Sequence, residues 1–169
     1  MSRVFLSLIF PVLCAVASAQ TVQFFTPNTV RIVKEKVAGG EEKSVVVIAK
    51  PEKVKVTKKS LGKATIYKSS ALTVKVEEGR VTFFDAKGNL LTSEGDAVFT
   101  ARTSGSDQEA YKVKQSFSVE EGEGIYGVGL LQNGKMSQRG ENRHMTQSNL
   151  EDFAHFYQSI KGYGIYWEN

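Results

Sequence analysis

Two histidines, one cysteine and the adjacent carboxylates Glu151 and Asp152 are the first side chains to weigh as parts of a reaction centre. His144 and His155 are eleven residues apart, outside any metal-ligand spacing, and read as surface or packing residues. Glu151 and Asp152 could serve acid–base chemistry, but neighbours in a strand point to opposite faces. In a helix the same two would simply occupy the first turn. No HExxH, GxSxG, glycine-rich phosphate loop or paired-cysteine signature occurs anywhere in the chain. The residue types thus predict no catalytic group, no metal and no cofactor within this chain.

Two stretches of the last third carry more information. Glu123-Gly124-Ile125-Tyr126-Gly127-Val128-Gly129 sets three glycines around an aromatic residue, a pattern that lets backbone pass close to another surface. It opens no helix after a strand, so dinucleotide binding is rejected. Beyond it, Gln132 to Asp152 is a polar stretch of about 20 residues holding Arg139, Asn142, Arg143, His144, Gln147 and Asn149. Earlier in the chain, Lys50, Lys53, Lys55, Lys58, Lys59 and Lys63 form the densest charge cluster. Lysines alternating with Val54 and Val56 read as one solvated face of a half-buried strand. A surface for an acidic partner is the second reading, and exposed edge lysines also discourage strand aggregation.

Something must position these groups, and the chain is long enough to provide it. Of 169 residues 41% are apolar and 24% charged, which excludes a disordered or low-complexity chain. Met1 to Ala19 has the form of a secretory signal: Arg3, an apolar run from Val4 to Val16, then Ala17-Ser18-Ala19. That run falls short of the ~20 residues that span a bilayer, and bulky Leu13 argues against lipidation at Cys14. Cleavage leaves one domain from Gln20, without cysteine and without a membrane segment, in the periplasm or outside the cell. Losing Arg3 takes the formal charge from +4 to +3, too small and scattered for a nucleic-acid partner.

Period-two alternation dominates the remainder. Val22–Phe25, Val30–Val33, Val45–Ile48, Val54–Val56, Ala64–Tyr67, Leu72–Val76, Val81–Phe84, Ala97–Ala101, Tyr111–Val119 and Tyr163–Trp167 are short runs of branched and aromatic residues. Pro27-Asn28, Gly39-Gly40, Glu78-Gly79, Lys87-Gly88-Asn89 and Gly95-Asp96 separate them as turns. The spacing predicts an all-β, antiparallel β-sandwich over 20–169. One segment reads differently. Ser148 and Glu151 have capping-box spacing, and Leu150, Phe153, Ala154 and Tyr157 recur at i, i+3, i+4, i+7, a helical pattern.

The order of motifs after residue 123 resembles the amino-terminal, galactose-mutarotase-like sandwich of glycoside hydrolase family 31, the α-glucosidase and α-xylosidase family. Glu123 to Gly129 departs from that pattern only at Val128. Arg139-Gly140, then Gln147-Ser148-Asn149, then Ser159 to Asn169 follow in the family's order, and Asn28–Ile32 and Asp85–Gly88 fit its opening strands. The Gln-Ser-Asn element is nearer to exported α-xylosidase-like members. Leu130-Leu131 and Ala154-His155-Phe156 depart from the pattern. The resemblance makes 155–160 extended, leaving at most one helical turn at 149–153.

What the resemblance implies is the amino-terminal, non-catalytic domain of an exported α-glycosidase that hydrolyses O-glycosyl bonds. Retaining glycosidases need two carboxyls about 5–5.5 Å apart, and the family carries them on a following (β/α)₈ barrel. No such motif occurs in this chain, which reads as a fragment ending before the sandwich closes; alone it is expected to be inactive. Its partner would be an α-linked oligosaccharide bound through the barrel, with no nucleic acid or membrane. Arg139, Asn142, Arg143, His144, Gln147 and Asn149 are candidate sugar contacts over the barrel mouth, since such donors suit sugar hydroxyls. The competing role of that stretch is to pack the sandwich–barrel joint. From other classes come a stand-alone carbohydrate-binding or adhesive sandwich, whose aromatics would be Trp167, Tyr126, Tyr157, Tyr163 and Tyr166, and a structural periplasmic partner. The Ala-Ser-Ala signature carries a direct prediction. The intact mass of exported protein should correspond to a chain starting at Gln20, and a retained Met1–Ala19 would refute it.

Overall fold

The computed structural model describes residues 19–35, 44, 46–102, 110–147 and 149–168. The predicted signal up to Ser18, with Cys14, lies outside the described residues, as do Ser148 and Asn169. Eleven strands follow in order: β1 (Ala19–Thr26), β2 (Thr29–Glu35), β3 (Thr57–Leu61), β4 (Ala64–Lys68), β5 (Leu72–Glu77), β6 (Arg80–Asp85), β7 (Leu90–Ala101), β8 (Tyr111–Phe117), β9 (Ile125–Leu130), β10 (Asp152–Ser159) and β11 (Gly164–Tyr166). No helix occurs among the described residues. Every strand pair is antiparallel, so the all-β antiparallel reading holds.

Six strands, β3 to β8, make a meander in which each pairs with the next. Short turns with the right chemistry close it. Glu78 and Gly79 both take positive φ (50° and 78°), as a two-residue hairpin with right-handed twist requires. At β6–β7, Asp85 Oδ1 accepts the N–H groups of Lys87 and Asn89, both at 2.8 Å, while Asn89 Nδ2 donates to Oδ2 at 2.7 Å. These bonds, Asn89 foremost, hold the Asp85 carboxyl below its ordinary range.

The β1–β2 hairpin covers one face of this sheet. Alternation puts Val22, Phe24, Val30 and Ile32 on its inner side, against Leu72, Val74, Val76, Val81 and Phe83. Val74 and Val81 are fully buried, which is worth about 1.5–3 kcal/mol for each. Two polar links fix how the layers sit. Lys34 Nζ reaches Glu94 Oε2 at 2.6 Å, and that oxygen also accepts the Val81 N–H at 2.9 Å where the β6–β7 ladder stops. Ser69 Oγ donates to the Pro27 carbonyl and accepts the Leu72 N–H at 3.0 Å, tying the β1–β2 turn to the β4–β5 turn.

A separate three-stranded sheet, in the order β11-β10-β9, follows β8. The helical turn expected at 149–153 is absent. Asn149-Leu150 forms a bend and β10 begins at Asp152, with 155–159 extended. Pairing with β9 overrides the helical spacing: Asp152 faces Leu130 and Phe153 faces Gly129, while Leu150, an apolar member of the pattern, is 68% exposed. Two strand expectations also change. Val46–Ile48 forms a bend and irregular chain, and Val54–Val56 packs its valines on the core without joining a ladder. Conversely, β3 (Thr-Lys-Lys-Ser-Leu) has no apolar alternation and is exposed at all five positions; a turn at Gly62 (φ 60°) folds it back onto β4. Val81→Ala should lower stability by about 2 kcal/mol through lost burial and the cavity left behind, measured by urea unfolding.

Candidate functional site

The three-stranded sheet and its loop are organised around one buried carboxylate. Glu123, 3% exposed, sits just before β9. Its Oε1 accepts from the Ser159 hydroxyl and from Tyr163 Oη at 2.7 Å, and its Oε2 accepts the Glu120 N–H at 2.8 Å. The Glu123 N–H donates back to the Glu120 carbonyl at 3.2 Å. Lys161 Nζ pairs with Glu120 Oε1 at 2.7 Å, adding positive charge nearby. Burial pushes the Glu123 carboxyl up. The bonds from Ser159, Tyr163 and Glu120, with the field of Lys161, more than offset it, so the net shift is downward. Burial and the bond to Glu123 push the Tyr163 phenol up to about 12, so it remains a donor. Burial likewise raises Tyr157. A carboxylate held ionised by three donors is a structural anchor rather than a proton shuttle.

The glycines that open this region serve close approach. Gly127 and Gly129 have φ of 105° and 111°. A Cβ on Gly129 would stand 2.0 Å from the Asp152 carbonyl oxygen, and one on Gly127 2.8 Å from that of Phe156. Between them Val128 is left-handed at φ 58°, an uncommon and strained state for a β-branched residue. Opposite, Phe153 pairs with Gly129 and Tyr157 with Gly127, so two extra residues of β10 bulge out between the pairs. On the far side of the bulge the His155 carbonyl accepts the Trp167 N–H at 2.8 Å.

The polar loop from Leu131 to Gln147 springs from β9 and is held at several points. Gln138 N–H donates to the Ile125 carbonyl at 2.7 Å, and Lys135 pairs with Glu141 at 2.6 Å. Of the predicted sugar contacts, Arg139 spends its guanidinium on the carbonyls of Glu120 (2.6 Å) and Glu123 (3.2 Å), beside a shallow groove of about 400 Å³. Gln147 clasps the Phe153 backbone through both amide atoms, accepting from its N–H at 2.8 Å and donating to its carbonyl at 3.4 Å. Arg143 makes a 3.4 Å contact with Glu141. Asn142, His144 and Asn149 are exposed. The structure thus brings Arg139 onto the Glu123 anchor, Gln147 onto the start of β10 and Arg143 beside Glu141, and leaves Asn142, His144 and Asn149 facing solvent. Asp152 is exposed at the start of β10, and no group of three His, Cys, Asp or Glu that could hold a metal occurs among the described residues.

Residue-type reasoning missed the anchor because a lone glutamate, serine and tyrosine, up to 40 residues apart, match no catalytic template. The signal was present in another form. Glu123, Ser159 and Tyr163 open or lie within the two motifs that carry the family resemblance.

Residues 19–169 match the family model of the glycosyl hydrolase 31 N-terminal galactose mutarotase-like domain. The chain belongs to that domain family. An α-xylosidase of Saccharolobus solfataricus is 29% identical over 166 residues, covering 88% of this chain and 22% of that protein. The fold is similar to the family 31 α-xylosidase of Xanthomonas citri, with a TM-score of 0.78 and 23% identity over 95% of this chain and 18% of that one. A family 31 dextranase of Flavobacterium johnsoniae follows with a TM-score of 0.67 and 22% identity, over 92% and 20%. The chain therefore spans about a fifth of the length of these relatives.

Within the family 31 domain the Glu123 anchor has a testable pH signature. Its folded pKa lies below the ordinary 4.5, so its stabilisation is complete above that value and is lost as pH falls through the lower folded pKa. Glu123→Gln turns an NH₂ group toward a donor and should cost about 2–3 kcal/mol at neutral pH. Urea unfolding from pH 7 to 3 should show the variant's stability varying less with pH than the wild type's.

Proposed function

We propose that this family 31 domain forms the amino-terminal, non-catalytic part of an exported α-glycosidase of α-xylosidase or α-glucosidase type. The catalytic carboxyls are supplied by a barrel elsewhere in the full-length polypeptide, and an α-linked oligosaccharide is the substrate. The observation that carries this reading is the match over 19–169 to the family 31 N-terminal domain; the relatives named α-xylosidase support the choice of sugar. Export rests on the signal-like leader. Its removal after Ala19 is compatible with the fold, since the apolar contacts of β1 with the core begin at Val22. The full-length polypeptide should release the aglycone from aryl α-xylosides or α-glucosides; turnover of neither would overturn the reading.

The loop between β9 and β10 contributes positioning. Asn142, His144 and Asn149 face solvent, and Arg143 stands beside Glu141, on a loop whose base is fixed by Arg139 and Gln147, the arrangement expected of donors that orient a sugar. In the full-length enzyme, Asn149→Ala with Arg143→Ala should reduce kcat/KM by an amount equivalent to about 1–3 kcal/mol. Unchanged kinetics with a lowered Tm would assign the loop to joint packing instead.

A further inference from the structure

The lysine-rich stretch takes no part in the Glu123 anchor or its loop. Between Lys50 and Lys68 the chain has seven lysines and one acid, Glu52. Its first half is held rigidly: the Glu52 N–H donates to the Phe25 carbonyl at 2.9 Å and the Val54 N–H to the Glu52 carbonyl at 3.0 Å. With Val54 and Val56 packed on the core, alternation turns Lys53, Lys55 and Thr57 outward. Lys68 stands opposite Thr57 in the β3–β4 register, and Thr57 Oγ1 donates to its carbonyl at 3.3 Å.

Lys53, Lys55, Lys68, Thr57 and Ser70 line an open cleft of about 440 Å³ beside Pro27 of the β1–β2 turn. Glu52 is the one carboxylate in the lining, so the lining carries three lysines to one acid. Among the described residues Lys53, Lys55 and Lys68 make no ion pair, whereas Lys34, Lys63, Lys75, Lys135 and Lys161 each do. Protection of the sheet edge accounts for Lys58 and Lys59 on β3. It does not account for Lys68, which lies on β4 between two paired strands, or for Lys53 and Lys55, which lie outside the sheet.

We propose that this cleft docks a carboxylate-bearing polysaccharide, its uronate groups meeting the three lysines and its hydroxyls meeting Thr57 and Ser70. Lysine is a point-charge partner suited to single, separated carboxylates. The lining holds no arginine for bidentate phosphate contacts and no aromatic ring on which a base could stack, which disfavours nucleic acid. The site goes beyond the glycosidase reading, and binding is measured without turnover, so either can fail alone.

Calorimetric titration of the full chain with polygalacturonate at physiological ionic strength tests it. Saturable binding is expected, weakened about tenfold or more in Lys53→Gln/Lys55→Gln/Lys68→Gln. A control of equal charge, Lys87→Gln/Lys112→Gln/Lys114→Gln, should bind nearly as well as the wild type, with circular dichroism confirming that both variants fold. Absence of saturable binding would overturn the proposal. So would equal loss in the two variants, or equal or tighter binding of poly-glutamate or dextran sulfate, since each would mean a general polyanion attraction or an acidic-peptide site.

Discussion

A carboxylate buried to 3% exposure is tolerated only if donors replace its water, and Glu123 finds them three residues back at Glu120 and, across the sheet, at Ser159 and Tyr163 of the β10–β11 turn. Ser159 ends β10, Tyr163 precedes β11, and Glu120 belongs to the approach to β9. Satisfying one anion therefore fixes where three strands begin and end. The same knot orients the carbonyls of Glu120 and Glu123 outward to Arg139, so the base of the β9–β10 loop inherits its position from the carboxylate. Remove the anion and the donors lose their common acceptor, and the sheet loses the reason for its geometry.

Backbone contact completes the sheet. Because a Cβ at Gly129 would fall within 2.0 Å of the Asp152 oxygen, β9 reaches β10 only by having no side chain there. The strained φ at Val128 and the bulge in β10 are consequences of that approach: pairing at Gly127 and Gly129 forces the intervening residues of both strands out of regular geometry. Bulges of this kind re-aim side chains, and here the bulge displaces the segment Ala154–Phe156 between two neighbouring strands.

The larger sheet works by different physics. Its hold on the β1–β2 hairpin is apolar, through Phe24, Leu72, Val74 and Val81, with the Lys34–Glu94 pair and Ser69 fixing register rather than supplying most of the stability. The two halves thus divide the labour of a family 31 N-terminal domain. An apolar two-layer body provides rigidity, and a polar, hydrogen-bonded three-stranded sheet carries the loop rich in exposed donors.

Much of this was legible in the residues themselves. Alternation in Leu72–Val76 and Val81–Phe84 located the core strands, since burial of one sheet face imposes a period of two whatever the surroundings. Glu78-Gly79 marked its turn because left-handed backbone restricts residue choice locally. The motifs around Glu123, Gly162 and Tyr163 pointed to the family. Pairing decided the rest. β3 exists because β4 offers it a hydrogen-bonding edge, although its own five residues bury nothing. Asp152–Ser159 is a strand because β9 stands beside it, although its spacing suits a helix. Val54–Val56 alternates like a strand but finds no partner for a ladder. Arg139 and Gln147, alike in sequence to their exposed neighbours, became supports of the fold because carbonyls from distant segments came within reach. Local pattern reports which face of a segment avoids water; whether that segment pairs, and which polar groups are consumed in pairing it, depends on chain far away in sequence.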